Sequence, residues 1–233
     1  MNGKAPAFSA LKNAMCSYYP LSAETWSSFA EICTYRELRK HEYLYRAGEV
    51  PVSFSFVHSG LFRLFTVDDK GNEYNKIFFD EGKFPGAMTA LLQSTPSQFI
   101  IEALEDSTVV EIHFKGFRQL LLERHDLKMF QIHYLETNWL LHKDAREVEI
   151  IQEDAAHRYR RFLRDFPALA GRLPQYHIAS HLGITPTQLS RIRKNSSPDI
   201  APQGTMIAPR SVRSVHFCGV YACSLHVLAA KMR

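Results

Sequence analysis

Residues 175–194 read Gln-Tyr-His-Ile-Ala-Ser-His-Leu-Gly-Ile-Thr-Pro-Thr-Gln-Leu-Ser-Arg-Ile-Arg-Lys. The spacing predicts a helix, a three-residue turn and a second helix. Ile178, Ala179 and Leu182 give the first helix one apolar face, and Ala179 is small enough for another helix to cross closely. Gly183 supplies the left-handed backbone that ends a helix cheaply, and Ile184 plugs the turn. Thr185 is placed as an N-cap, Pro186 as the first helical residue, and Gln188 closes a capping box. Leu189 and Ile192 face inward. At about 100° per residue, Thr187, Ser190, Arg191 and Lys194 then form the opposite face. Such a small-polar and basic stripe suits a DNA major groove, where Arg can contact guanine with two hydrogen bonds. The candidate DNA-contacting residues are Thr185, Thr187, Gln188, Ser190, Arg191, Arg193 and Lys194. A helical hairpin with a merely solvated charged face is the plainer alternative.

The charge distribution favours the first reading. Residues 1–154 carry 16 Lys/Arg and 22 Asp/Glu, a net of −6, whereas residues 155–195 carry eight basic residues against the single acid Asp165, a net of +7. The tail from residue 196 adds a net of +3, giving +4 for the chain of 233 residues. A polyanion partner is therefore expected for the third quarter of the chain.

Upstream, residues 40–113 have the texture of an antiparallel sheet. Leu61–Val67 alternates, Asp68-Asp69-Lys70-Gly71-Asn72 forms a hairpin turn, and Glu73–Phe79 returns. Further strands are expected at Phe99–Glu102 and Val109–Phe114, and a helical turn at Ala87–Gln93. Eight or so short strands indicate a closed or sandwiched antiparallel roll. From Phe117 to Gln152 the pattern is helical. Leu127, Phe130, Tyr134, Thr137, Leu141, Asp144, Val148 and Ile151 are spaced alternately three and four apart. This is the spacing of a coiled-coil seam, so Leu127, Phe130, Tyr134, Leu141, Val148 and Ile151 are the expected dimer contacts. An amphipathic helix docked on its own domain satisfies the same spacing.

The expected class is α+β, with an antiparallel, jelly-roll-like β-roll sensor domain, a long dimerisation helix and a C-terminal helix-turn-helix domain. The boundaries are residues 1–125 for the roll, 126–152 for the helix, 153–195 for the helix-turn-helix, and 196–233 for an atypical tail expected to be poorly ordered.

This order of elements resembles the Crp/Fnr family of bacterial transcription regulators, over residues 20–195. Ala103-Leu104-Glu105-Asp106-Ser107 and His177–Lys194 carry the resemblance best. The second stretch looks especially like members common in Bacteroidetes-type bacteria. The resemblance implies a cytoplasmic homodimer that binds near-palindromic double-stranded DNA and acts on RNA polymerase, with Arg191 at the base-reading position. It also implies a cyclic-nucleotide-type pocket, and there the chain departs from the pattern. Nucleotide-binding members carry a Gly-Glu pair for the ribose and an Arg for the phosphate. Here Gly86 is followed by Ala87, and Ser97 stands where the Arg is expected. A phosphate without a guanidinium partner loses its charge-assisted hydrogen bonds. Binding of cyclic AMP by the usual contacts is therefore not expected. Arg63 and Lys76 are the cations that could replace them, and Phe99 and Met88 suggest a more apolar ligand. The effector is left unknown.

Other chemistries are disfavoured. Cys16 and Cys33 lie too far apart for the iron–sulfur cluster of oxygen-sensing relatives and read as small buried hydrophobes. His216, Cys218, Cys223 and His226 match no zinc spacing. His177 and His181, four apart, are expected to make surface or phosphate contacts. No nucleophile elbow, Gly-rich phosphate loop or acid pair with a positioned base occurs, so neither an enzyme nor a resident cofactor or metal is expected. No signal peptide or spanning segment is read. A sensor that acts through protein–protein contacts, with its DNA-binding unit disabled, is the alternative function.

Overall fold

The hairpin that alternation announced is the spine of the structure. In the computed structural model, which describes residues 3–140 and 154–195, β4 (Phe62–Val67) pairs antiparallel with β5 (Glu73–Phe79). Asp68 builds the turn between them. Its carboxylate accepts from the Lys70 and Asn72 backbone N–H groups, and Gly71 takes a φ of 82°. Such side-chain acceptance is why Asp favours turns, and the positive φ is why Gly follows.

Seven strands are described, in two sheets. β1 (Cys33–Leu38), β7 (Ser107–His113) and β3 (Ser53–Ser59) form one, in the order β1-β7-β3. β2 (Tyr43–Tyr45), β6 (Ile100–Ala103), β4 and β5 form the other, in the order β2-β6-β4-β5. Alternate side chains point to opposite faces, and in β3 and β4 both faces are covered. Leu38, Leu44, Val57, Phe62, Leu64, Ile101 and Val109 meet between the sheets, where Tyr45 bonds its hydroxyl to Ser53 and Ser55. The opposite face of the first sheet carries Phe54, Phe56, Val110 and Ile112. It is covered by α1 (Lys4–Cys16), α2 (Ala23–Glu31), α4 (Phe114–Glu123) and α5 (His125–Leu135). α3 (Met88–Gln93) is the helical turn read from the sequence.

The described apolar members of the expected seam, Leu127, Phe130 and Tyr134, face the chain's own core. The helical stretch breaks at Arg124 (φ −110°, ψ 110°), and α5 then runs into a π-helical turn at Glu136–Leu140. Leu127 and Phe130, expected at a dimer interface, are 0% and 4% exposed and lie in the chain's own core beside Leu11, Phe29 and Phe117. Tyr134 packs its ring edge-on to Tyr18 and Phe84. The three-four spacing of these residues thus serves the roll, as the docked-helix alternative required. The apolar side chains that α5 and the π turn leave exposed are Ile132, Leu135, Trp139 and Leu140. Leu141, Val148, Ile151 and the tail from residue 196, with its His and Cys residues, lie outside the described residues.

Cys16 and Cys33 are free and half-buried. Burial pushes the Cys33 thiol up to about 12, and its Sγ donates to the Phe29 carbonyl. No described helix is long and apolar enough to cross a membrane.

The described residues close with α6 (Ala155–Asp165), α7 (Gln175–Leu182) and α8 (Pro186–Asn195), and all belong to one unit that ends at Asn195. Their core is Tyr159, Phe162, Leu169, Leu173, Ile178, Ala179, Leu182 and Leu189, and it continues onto Leu61 and Phe78 of the roll. Leu127→Ala is expected to cost about 2–5 kcal/mol of unfolding free energy in urea, independent of protein concentration. A concentration-dependent loss would return Leu127 to an intermolecular seam.

Candidate nucleic-acid interface

The capping signals act as the sequence requires. Asp154 caps α6 by accepting from the His157 N–H at 2.8 Å. α7 ends at Gly183 in the left-handed region (φ 67°, ψ 32°), and the chain turns to Thr185. The Gln188 N–H donates to Thr185 Oγ1 at 3.2 Å, and the Thr185 N–H donates to Gln188 Oε1 at 2.8 Å. That reciprocal pair fixes where α8 starts and how its faces point. Leu189 is fully buried and Ile192 half-buried, so Thr185, Thr187, Gln188, Arg191, Arg193 and Lys194 are exposed, and Ser190 is half-buried. A cavity of about 290 Å³ gathers Gln175, Ser190, Arg193 and Lys194. All seven predicted side chains therefore lie on one short, basic element. It carries cations and hydrogen-bonding groups but no nucleophile–base pair. Such a surface can bind an extended anion and read polar base edges.

A second constellation, absent from the sequence reading, holds this element to the roll. The hydrogen bonding of β4 to β5 shifts register between Leu64 and Phe65, which pair with Ile77 and Asn75. This bulge leaves Lys76 as the extra residue and brings Asn75 and Phe78 onto the same outward face as Arg63. On that face Arg63 and Glu102 are cross-strand partners, each 6% exposed. Arg63 Nε donates to Glu102 Oε2 at 2.8 Å, and its NH1 reaches Glu73. Burial opposes the Arg63 charge, but the hydrogen bonds that Arg63 donates to Glu73 and Glu102 outweigh it and raise the pKa. The guanidinium carbon of Arg63 lies over the Phe65 ring, 3.8 Å from its centroid.

α7 covers this face. The Asn75 N–H, on the free edge of β5, donates to Ser180 Oγ at 3.0 Å, and Ser180 donates on to the Glu73 carbonyl at 2.9 Å. An edge strand left open would offer unpaired backbone groups, and α7 closes it. Asn75 Nδ2 donates to His177 Nδ1 at 3.1 Å and to the His177 carbonyl at 3.2 Å. Phe78 meets the rings of Phe162 and His181. At the margin Arg172 holds Glu81 in a two-bond pair of 3.0 and 3.1 Å and also reaches Glu105.

His177, expected at the surface or on phosphate, is thus 4% exposed and faces the roll. Burial first, and the Arg63 guanidinium second, hold its imidazole down at about 4, below the ordinary 6.5. A lone cation in the apolar run Leu61–Phe65 and a lone anion in Ile100–Ala103 were the available signals. Charges in apolar strands are seldom buried unpaired.

In the roll, Ala87 is buried just before α3, and Ser97 is tied within its own loop to the Phe99 backbone. Neither offers a charge. Of the two cations that could substitute, Arg63 is committed to Glu102, and Lys76 lies over the Phe99 ring at 4.4 Å.

Residues 35–124 match the cyclic nucleotide-binding domain family. No curated protein sequence matches the chain. Among solved structures, the c-di-GMP-responsive global regulator CLP of Xanthomonas campestris is 18% identical with a TM-score of 0.58, covering 74% of this chain and 90% of that one. FixK2 of Bradyrhizobium japonicum is 21% identical with a TM-score of 0.57, covering 70% and 83%. The sensor domain of the transcriptional regulator DNR of Pseudomonas aeruginosa is 18% identical with a TM-score of 0.52, covering 66% of this chain and all of that domain. These likenesses show a shared fold.

Thr185→Ala removes the cap of α8 and is expected to cost about 1 kcal/mol, read as a lower unfolding midpoint with unchanged slope in urea. An unchanged midpoint would show that Gln188 alone sets the helix start.

Proposed function

We propose that this chain is a homodimeric, sequence-specific DNA-binding transcription regulator of the Crp/Fnr type, whose roll does not hold cyclic AMP by the usual contacts. The observation that carries the reading is α8. It is a capped helix with its apolar side buried and its polar, basic side open, on a chain whose residues 35–124 match the cyclic nucleotide-binding domain. Arg191 reads a base, while Arg193 and Lys194 serve the phosphates and set the salt dependence of binding. The partners are near-palindromic double-stranded DNA, a second copy of the chain and RNA polymerase, in the cytoplasm. Dimerisation uses the face of α5 and the π turn that carries Ile132, Leu135 and Trp139, exposed at 42%, 40% and 55%. The inward-facing Leu127 and Phe130 take no part in it.

Binding sites selected from a random pool and measured by fluorescence anisotropy test this directly. Arg191→Ala is expected to weaken the selected site by about 1–3 kcal/mol and to blur one base pair. Equal weakening on random DNA would make Arg191 a phosphate contact, and an empty selection would remove DNA as the partner. Trp139→Asp is expected to shift sedimentation towards the monomer while leaving the unfolding midpoint of the roll in place. A retained dimer would move the interface off this face.

A further inference from the structure

His177 sits at the only joint that the described residues form between helix α7 and the roll, and it sits there as an acceptor. Two donors converge on its Nδ1, Asn75 Nδ2 at 3.1 Å and Arg63 NH1 at 3.5 Å. The Asn75 amide is not free to turn its oxygen towards the ring. Its Oδ1 accepts from Arg63 NH1 at 3.4 Å, and its Nδ2 also serves the His177 carbonyl at 3.2 Å. A proton on Nδ1 would turn the acceptor into a donor facing an amide N–H and a guanidinium. The imidazolium would also lie beside a buried positive charge.

The groups that act on His177 come from every strand beneath it. Arg63 on β4 and His41 in the turn after β1 oppose its charge, while Glu102 on β6 and Glu73 on β5 favour it. Both carboxylates are already engaged, Glu102 by Arg63 and His41 and Glu73 by Arg63. They are in position to hold Arg63, so a second cation would compete for them. The remaining contacts of the joint are the Ser180 clip, Phe78 against the rings of Phe162 and His181, His181 Nδ1 with the Asn75 carbonyl at 3.4 Å, and the edge pair of Arg172. His181 is the second imidazole of the joint, and replacing His177 alone separates the two.

We propose that His177 is the catch of an acid-released joint: neutral, it fastens the α7–α8 unit to the outer sheet of the roll, and a proton on its Nδ1 lets the unit go. In the fastened state the imidazole is held at about 4, and a released ring returns towards 6.5. The released state therefore binds the proton more readily throughout that interval. Fastening is complete above it and weakens as the pH falls through it. Release frees the direction in which α8 points, a consequence that rests on the reading of α8 as the DNA helix. The joint itself does not.

Amide hydrogen exchange on the full chain without DNA tests the joint apart from that reading. The Asn75 amide, which donates across the joint to Ser180, is the probe. After correction for intrinsic exchange, it is expected to open on the order of tenfold more often at about pH 5 than at about pH 7, while the amides of β7 hold. In His177→Gln, whose carbonyl accepts without titrating, the rise should vanish. In Ser180→Ala the Asn75 amide should exchange faster at both pH values and keep its pH dependence. A wild-type Asn75 amide indifferent to pH, or a rise that survives in His177→Gln, would overturn the proposal. If His177→Gln fails to fold, the NMR titration of His177 in the wild type decides. A midpoint well below 6.5 that coincides with the opening of Asn75 supports the catch, and a midpoint near 6.5 with Asn75 still protected overturns it.

Discussion

The structure turns on one buried ion pair. Arg63 and Glu102 face each other across β4 and β6, almost without solvent, on the side of the sheet that points away from the roll's interior. Removing either partner would leave an uncompensated charge, at a cost of about 3–5 kcal/mol, so the pair fixes what surrounds it. Glu73, Asn75 and His177 supply the remaining hydrogen-bond contacts of Arg63, and those residues belong to β5 and α7. The polar requirements of a single arginine thereby tie the last strand of the hairpin to the helix that precedes α8.

Packing completes what the pair begins. The core of α6, α7 and α8 does not close on itself but extends to Leu61 and Phe78. Phe78 can reach that core because the bulge at Lys76 resets the alternation of β5, and the same bulge delivers Asn75. One extra residue in one strand thus supplies both the apolar plug and the amide that reads the protonation state of His177. The open face of α8 is untouched by this joint, so fastening governs where the helix points and leaves its polar face available.

Much of this was legible in the sequence, and the gaps have physical causes. The turn at Asp68–Asn72, the left-handed Gly183 and the Thr185–Gln188 box depend on chemistry within a few residues, which spacing reveals directly. The faces of β5 were not legible, because a bulge adds a residue without a distinct sequence mark and reverses every side chain beyond it. Leu127 and Phe130 were misplaced for a different reason. A three-four apolar spacing says that a helix has a buried side and nothing about who buries it, and here the covering residues come from α1, α2 and α4 of the same chain. His177 looked like a surface residue because its partners lie about a hundred positions away, on strands that spacing along the chain does not connect to it.

The central claim is that the α6–α8 unit is seated on the outer face of β4 and β5 when His177 is neutral. The most direct measurement is a nuclear Overhauser spectrum of the full chain near pH 7, read at the Phe78 ring. The account predicts cross-peaks from Phe78 to the rings of Phe162 and His181. Their absence, with the β4–β5 cross-strand peaks intact, would contradict it.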